Sequence, residues 1–230
     1  MPHRWTIAFD ADDTLWHNEK FFQLSQERFA ALLADYVDPR DLRARLLEAE
    51  RRNLKFYGYG IKGFTLSMVE TALEVTKSRV PGEVITALLD MGREMLAHPI
   101  DLLPDVAEVI TALSGQTTII LITKGDLLDQ ERKLAQSGLG DHFSDVEIVS
   151  EKNAVVYQRI FSRYDTPRFM MVGNSLKSDV IPALEAGAFG VYVPHDLTWE
   201  LEHAEEPIQH NRYHRLDRLG QLPDLIAKLA

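Results

Sequence analysis

The chain contains no cysteine. That excludes disulfide frameworks, cysteine-ligated zinc, iron–sulfur clusters and a thiol nucleophile, and it fits a reducing compartment. No apolar run approaches the roughly 18 residues that a membrane span requires. The apolar stretch near the start gives way at once to Asp10, Asp12 and Asp13, so no secretory leader is read there. The expectation is a cytoplasmic protein with no membrane partner. Positive charge is also scarce: 25 lysines and arginines stand against 35 aspartates and glutamates, a formal net charge of −10. Such a chain has no bulk attraction for a nucleic acid polymer. What is present is ordinary globular material. The 230 residues are 45% hydrophobic and 26% charged, enough for a sizeable core in one large domain or two small ones.

Two patterns divide the chain. Phe22, Phe29, Leu32, Leu33 and Tyr36 recur at helical spacing, as do Leu42, Leu46 and Leu47 after Pro39. A third helical pattern runs from about Phe64 to Lys77 and ends before Pro81-Gly82. A fourth carries Val84, Ile85, Leu88, Leu89, Met95 and Leu96. This is the signature of a small helical bundle. Elsewhere, β-branched apolar runs at 5–9, 117–123, 146–149, 168–172 and 189–193 alternate with helical patterns near 104–113, 127–137, 154–164 and 178–187, with a short helix near 222–229. Strands alternating with helices predict an α/β fold: a Rossmann-like parallel sheet with helices on both faces. The expected domains are a core of residues 1–15 and 98–230, with the helical block 16–97 inserted.

In open parallel sheets, ligands bind beyond the carboxyl ends of the strands. The residues following the five strands are Asp10-Ala11-Asp12-Asp13-Thr14, Thr123-Lys124-Gly125, Ser150-Glu151-Lys152-Asn153, Gly173-Asn174-Ser175 with Asp179 a turn later, and Pro194-His195-Asp196. Carboxylates, a hydroxyl, lysines and glycines therefore gather on one rim. Taken alone, FDADDTL at 9–15 could be a strand end with capping acids. A calcium loop fails, because Leu15 stands where the EF-hand needs glycine. The remaining reading is a carboxylate nucleophile with a second carboxyl two residues on, on the same side of an extended segment. Several acids in a partly dry crevice call for a cation or a proton.

With these motifs the chain resembles the haloacid dehalogenase superfamily, specifically its phosphatase branch with a C1-type helical cap. The resemblance runs through FDADDTL at 9–15, the apolar strand ending in Thr123, Lys152, and VGNSLKSD at 172–179. It implies that Asp10 attacks phosphorus and that Asp12 serves as acid, then base. It also implies that Thr123, Lys124, Gly125 and Lys152 hold the phosphate, and that Lys152 contacts the nucleophile, a role for which Lys124 is a rival. The implied cofactor is Mg²⁺, with Asp10, the carbonyl of Asp12, and Asp179 as ligands. The family pattern often has aspartate where this chain has Asn174, which keeps a carbonyl but loses a charge. That predicts weaker metal binding, with Asn174 on the ion directly or through water. The dehalogenase branch needs neither metal nor second acid, so Asp12 and Asp179 speak against it. A phosphomutase of the same superfamily and a non-catalytic phospho-ligand module stay open.

The expected partner is a small soluble phosphorylated metabolite that the sequence does not name; oligomeric state is open, a homo-oligomer included. Trp16, His17, Tyr57, Tyr59 and Lys62 are candidates for substrate specificity, beside the alternative that they pack or link helices. His195 falls near the rim. His203, Glu205, Glu206 and His210 fit no zinc spacing and read as a solvated face.

Overall fold

The computed structural model describes residues 5–229. It separates into two compact units. The first takes in the chain to Glu19, Ile100–Lys124 and the chain from Glu131 onward; the second takes in Lys20–Pro99 and Gly125–Gln130.

The first unit is built on β1 (Thr6–Phe9), β2 (Thr118–Lys124), β3 (Asp145–Val149), β4 (Phe169–Gly173), β5 (Phe189–Tyr192) and β6 (Tyr213–Arg215). Among the described residues these form one sheet in the order β3-β2-β1-β4-β5-β6, with every pairing parallel. Successive residues explain the apolar runs. Ile7, Phe9, Ile119, Leu121, Met170 and Val172 pack into one cluster. Ala8, Ile120, Ile122 and Met171, the residues between them, pack into another. Period-two alternation with both faces covered leaves no polar side, hence continuous hydrophobic strands. The chain order reverses at β1, which lies between β2 and β4. That places the loop after Phe9 at the switch point where such sheets bind ligands.

The second unit contains the helices α1 (Glu19–Leu32), which begins on the last residue of the first unit, α2 (Pro39–Tyr57), α3 (Ile61–Val75) and α4 (Gly82–Ala97). Asp38 caps α2 by accepting the Arg40 N–H at 2.8 Å, and Pro39 opens the helix. Phe29, Leu33, Leu42, Leu46, Phe64, Met68, Leu88 and Met91 form the unit's core. The periodic leucines and aromatics of the sequence are thus the packed stripe of each helix.

Three expectations are refined. The divide falls at Glu19/Lys20 rather than after Leu15, because Trp16 is fully buried and bridges to Leu102, and Asp13 accepts the Asn18 and Glu19 N–H groups. Gly125–Gln130 belong with the helical unit. The strand β6 escaped the sequence reading. Its three residues, Tyr213, His214 and Arg215, are polar and lie at the sheet edge.

Gly92 of α4 shows how tightly the helices approach. A Cβ there would stand 2.5 Å from Thr65 Oγ1 and 3.1 Å from its methyl group. Overpacking costs about 1–3 kcal/mol, while replacing glycine by alanine inside a helix gains roughly 1 kcal/mol. Gly92→Ala is therefore expected to destabilise the protein, and to stabilise it in a Thr65→Ala chain. Urea unfolding of the four variants checks that reversal of sign.

Candidate active site

β1 ends where Asp10 N–H donates to Val172 O at 2.9 Å. The chain then turns on Ala11, whose carbonyl accepts Thr14 N at 3.3 Å and Leu15 N at 2.8 Å. Asp13 adopts a left-handed φ of 60°, and its carboxylate accepts Asn18 N at 2.9 Å. This turn leaves Asp10 and Asp12 at the end of the central strand.

Lys152 lies between β3 and α7 (Ala154–Phe161), just before Asn153, whose Oδ1 accepts Val156 N at 3.0 Å and caps that helix. Its ammonium reaches two carboxylates. It donates to Asp10 Oδ1 and, at 2.7 Å, to Asp179 Oδ1. The side chains of Lys152 and Asp179 are 2% and 1% exposed, so this is a buried triad. Asp179 Oδ2 accepts Ser175 N at 3.0 Å. Ser175 starts a π-helical turn, Leu176–Val180, that leads into α8 (Ile181–Glu185). Only glycine fits at 173, since a Cβ would stand 2.2 Å from Asp179 Oδ2. Burial pushes Asp10 up to about 7; Asp179 adds to that and Lys152 opposes it. Burial alone would lower Lys152, but Asp10 and Asp179 hold it above the ordinary lysine value. Two buried carboxylates share one buried ammonium, leaving a deficit of positive charge.

The oxygens around Asp10 fit a hard cation. One terminal atom of the Asn174 amide lies 3.3 Å from Asp10 Oδ2, 3.2 Å from the Asp12 carbonyl oxygen and 3.2 Å from Thr14 Oγ1. With nitrogen in that place the amide donates to three acceptors. With oxygen there, Asp10 Oδ2, Asp12 O and Asn174 Oδ1 form a triangle of oxygens, the donor set of a magnesium-sized ion completed by waters and substrate. A half-turn of the amide interconverts the two. Among the described residues no group of three or more His, Asp or Glu side chains is disposed to hold an ion; the set here is one carboxylate and two carbonyls. Asp179 meets Lys152 and Ser175.

The remaining candidates divide. Thr123 is 1% exposed at the end of β2. The Lys124 ammonium meets Ser178 Oγ and Glu202 Oε1, each at 2.7 Å, and Lys152 is the lysine on Asp10. Glu202 also accepts from Ser175 and Ser178. Burial alone would raise Glu202, but Lys124 and the serine hydroxyls outweigh it and hold the carboxyl below its usual range. Gly125 has φ 144°, and a Cβ there would meet Gln130 Nε2 at 2.7 Å.

Trp16 is not an open substrate contact. It is fully buried, and its indole N–H donates to Asp12 Oδ1 at 2.8 Å. His17 faces His195 edge-on at 5.8 Å between ring centroids, and His195 Nε2 lies 3.7 Å from Asp13 Oδ1. In the helical unit, Tyr57 is half exposed, Tyr59 is half-buried, and Lys62 meets Asp126 Oδ1 at 2.9 Å. Glu206 pairs with Arg215 and accepts from Tyr213 Oη at 2.7 Å, which is surface bonding and no zinc site. Sequence reasoning missed Lys133, whose ammonium donates to Asp12 Oδ1 at 2.9 Å, and Glu202.

Removing one partner of a buried ion pair costs about 3–5 kcal/mol. Lys152→Met should lose stability of that order in urea unfolding. Adding Asp179→Asn to it should recover part, because one uncompensated charge is removed with it; full additivity of the two losses would contradict the shared-lysine account.

The family model for haloacid dehalogenase-like hydrolases matches residues 6–187. The chain is 39% identical to a haloacid dehalogenase-like family hydrolase from Xanthomonas campestris, over 98% of this chain and 91% of that one, with a TM-score of 0.86. It is 26% identical over 200 residues to the pyrimidine 5′-nucleotidase YjjG of Escherichia coli, covering 81% of this chain and 84% of that protein. YfnB from Bacillus subtilis, a putative hydrolase solved with bound magnesium, shares the fold at 18% identity and a TM-score of 0.66, over 99% and 100% of the two chains. With the match to the family model spanning most of its length, the chain belongs to the haloacid dehalogenase-like hydrolase family.

Proposed function

We propose that this hydrolase is a magnesium-dependent phosphatase of small soluble phosphomonoesters, working through an aspartyl-phosphate on Asp10. One observation carries the reading. The Asp10 carboxylate is held by Lys152 on one oxygen, and its other oxygen lies 3.3 Å from the Asn174 amide, which is also 3.2 Å from the Asp12 carbonyl oxygen. That arrangement supports a nucleophile beside a place for a cation.

Magnesium held by Asp10 Oδ2, Asp12 O and Asn174 Oδ1 would supply positive charge to the transferring phosphoryl group. A carboxylate oxygen of Asp10 attacks phosphorus, the bond to the leaving oxygen breaks, and Asp12 gives that oxygen a proton. A water then attacks the aspartyl-phosphate, Asp12 takes its proton, and Asp10 is released with inorganic phosphate. Thr123 offers a hydroxyl donor and Lys152 a charge to the phosphoryl oxygens. Catalysis of this kind is mostly positioning and charge stabilisation.

The nucleotidase relative makes nucleoside 5′-monophosphates the first members of a test panel. Sugar phosphates, flavin phosphate and phosphoglycolate complete it. Phosphate release is expected with magnesium and not with chelator, and Asp10→Asn should lower it by on the order of a thousandfold or more. Phosphate moving to another hydroxyl of the substrate would indicate a mutase, and no turnover by folded protein a binding module. Asn174→Asp adds a second carboxylate to the triangle and should tighten magnesium binding roughly tenfold. Titration calorimetry on the substrate-free protein checks this; unchanged or weaker binding would contradict the direct position of Asn174.

A further inference from the structure

The helix α6 (Leu127–Ser137) starts inside out. Leu127 and Leu128 are 59% and 68% exposed, while Asp129, Gln130 and Lys133 are buried. Residues 129, 130 and 133 lie on one helical stripe. A helix that hides polar groups and shows leucines is not serving an apolar core there. Lys133 is the member with a direct line to the chemistry. Its side chain is 8% exposed, and its ammonium lies 2.9 Å from Asp12 Oδ1 and 2.9 Å from Asn18 Oδ1. The same Asp12 oxygen accepts the Trp16 indole N–H at 2.8 Å. Asn18 N–H in turn donates to Asp13 Oδ1 at 2.9 Å.

We propose that Lys133 is a positioning residue that, together with the Trp16 indole, clamps Oδ1 of Asp12, so that proton exchange with the leaving group and with water takes place at Oδ2. Oδ1 already takes two N–H donors and has no geometry left to carry the transferring proton as well. The clamp also removes the rotational freedom of a short side chain that is 23% exposed. A proton-transfer group must be held within hydrogen-bond reach of its target. Lys133 thereby joins the acid to Asn18, on the stretch whose N–H groups Asp13 binds. It forms no bond to the reacting atoms and acts through Asp12. The inference rests on the phosphatase reading.

The test compares two esters. The phenolate of p-nitrophenyl phosphate departs without a proton. The alkoxide of an alkyl monoester needs one, and the alkyl ester used is whichever panel member turns over fastest. kcat/KM reports the steps through transfer to Asp10. Lys133→Met is expected to lower kcat/KM for the alkyl ester at least about tenfold more than for the aryl ester. Trp16→Phe should shift the ratio in the same direction, and Lys133→Arg, which keeps a donor, should restore most of it. A structural brace alone would lower both esters by the same factor, and that result overturns the proposal. If Lys133→Met does not fold, an unmoved ratio in Trp16→Phe overturns it instead. Wild-type protein that releases phosphate from neither ester removes the phosphatase reading and this inference with it.

Discussion

The site depends on one ammonium between two carboxylates. Asp10 and Asp179 are both buried, and Lys152 donates to each. Three strands must end at the same level for this to happen: β1 before Asp10, β3 before Lys152, and β4 before the turn that carries Asp179. The parallel order of the sheet provides it, with β1 between β2 and β4 and β2 beside β3. Gly173 is part of the same constraint, since any side chain there would occupy the place of the Asp179 carboxylate. A buried ion pair of this sort is a poor source of net stability, because desolvation offsets attraction. It is better understood as fixing where the Asp10 carboxylate, the proposed nucleophile, stands.

Three lysines have three distinct tasks around this centre. Lys152 holds Asp10. Lys124 neutralises Glu202, and Glu202 with Ser175 and Ser178 ties the π-helical turn to the segment at Glu200–Glu202. Lys133 holds Asp12. Lys133 and Lys152 are buried and Lys124 is largely covered, and each ammonium is matched to a carboxylate. Removing any one of them would leave a different carboxylate uncompensated, which is why their functional effects should be separable.

Most of the architecture was legible in the sequence because both faces of the sheet are covered. Continuous runs such as Ile119–Ile122 are what a strand covered on both faces requires, and the helices between them carry single apolar stripes. The placement of Asp10, Asp12, Thr123 and Lys152 was legible for a related reason: each stands at or just beyond the carboxyl end of a strand. What stays open in the sequence lies where position along the chain does not determine direction. Lys124 ends one strand and Lys152 follows another, and only the structure shows that Lys124 points to Glu202. Asn174 precedes the π-helical turn that carries Asp179, so the Asn174 amide lies beside the Asp10 carboxylate while Asp179 meets Lys152. Trp16, a candidate for substrate specificity beside a packing role, has its indole spent inside, on Asp12. Lys133 gave one signal that could have been read: in the first turns of α6 the leucines and the polar residues occupy opposite faces, and the sequence does not say which face is buried.

The central claim is that Asp10 becomes covalently phosphorylated. Its most direct test is a single-turnover experiment with Asp12→Asn protein, in magnesium, on p-nitrophenyl phosphate, whose leaving group departs without a proton, quenched in acid and mapped by peptide mass spectrometry. The account predicts one phosphoryl group on the peptide that contains Asp10, accumulating because water is no longer deprotonated, and absent when Asp10 is asparagine. Phosphate released within one turnover without that adduct, or an adduct on another residue, would contradict it.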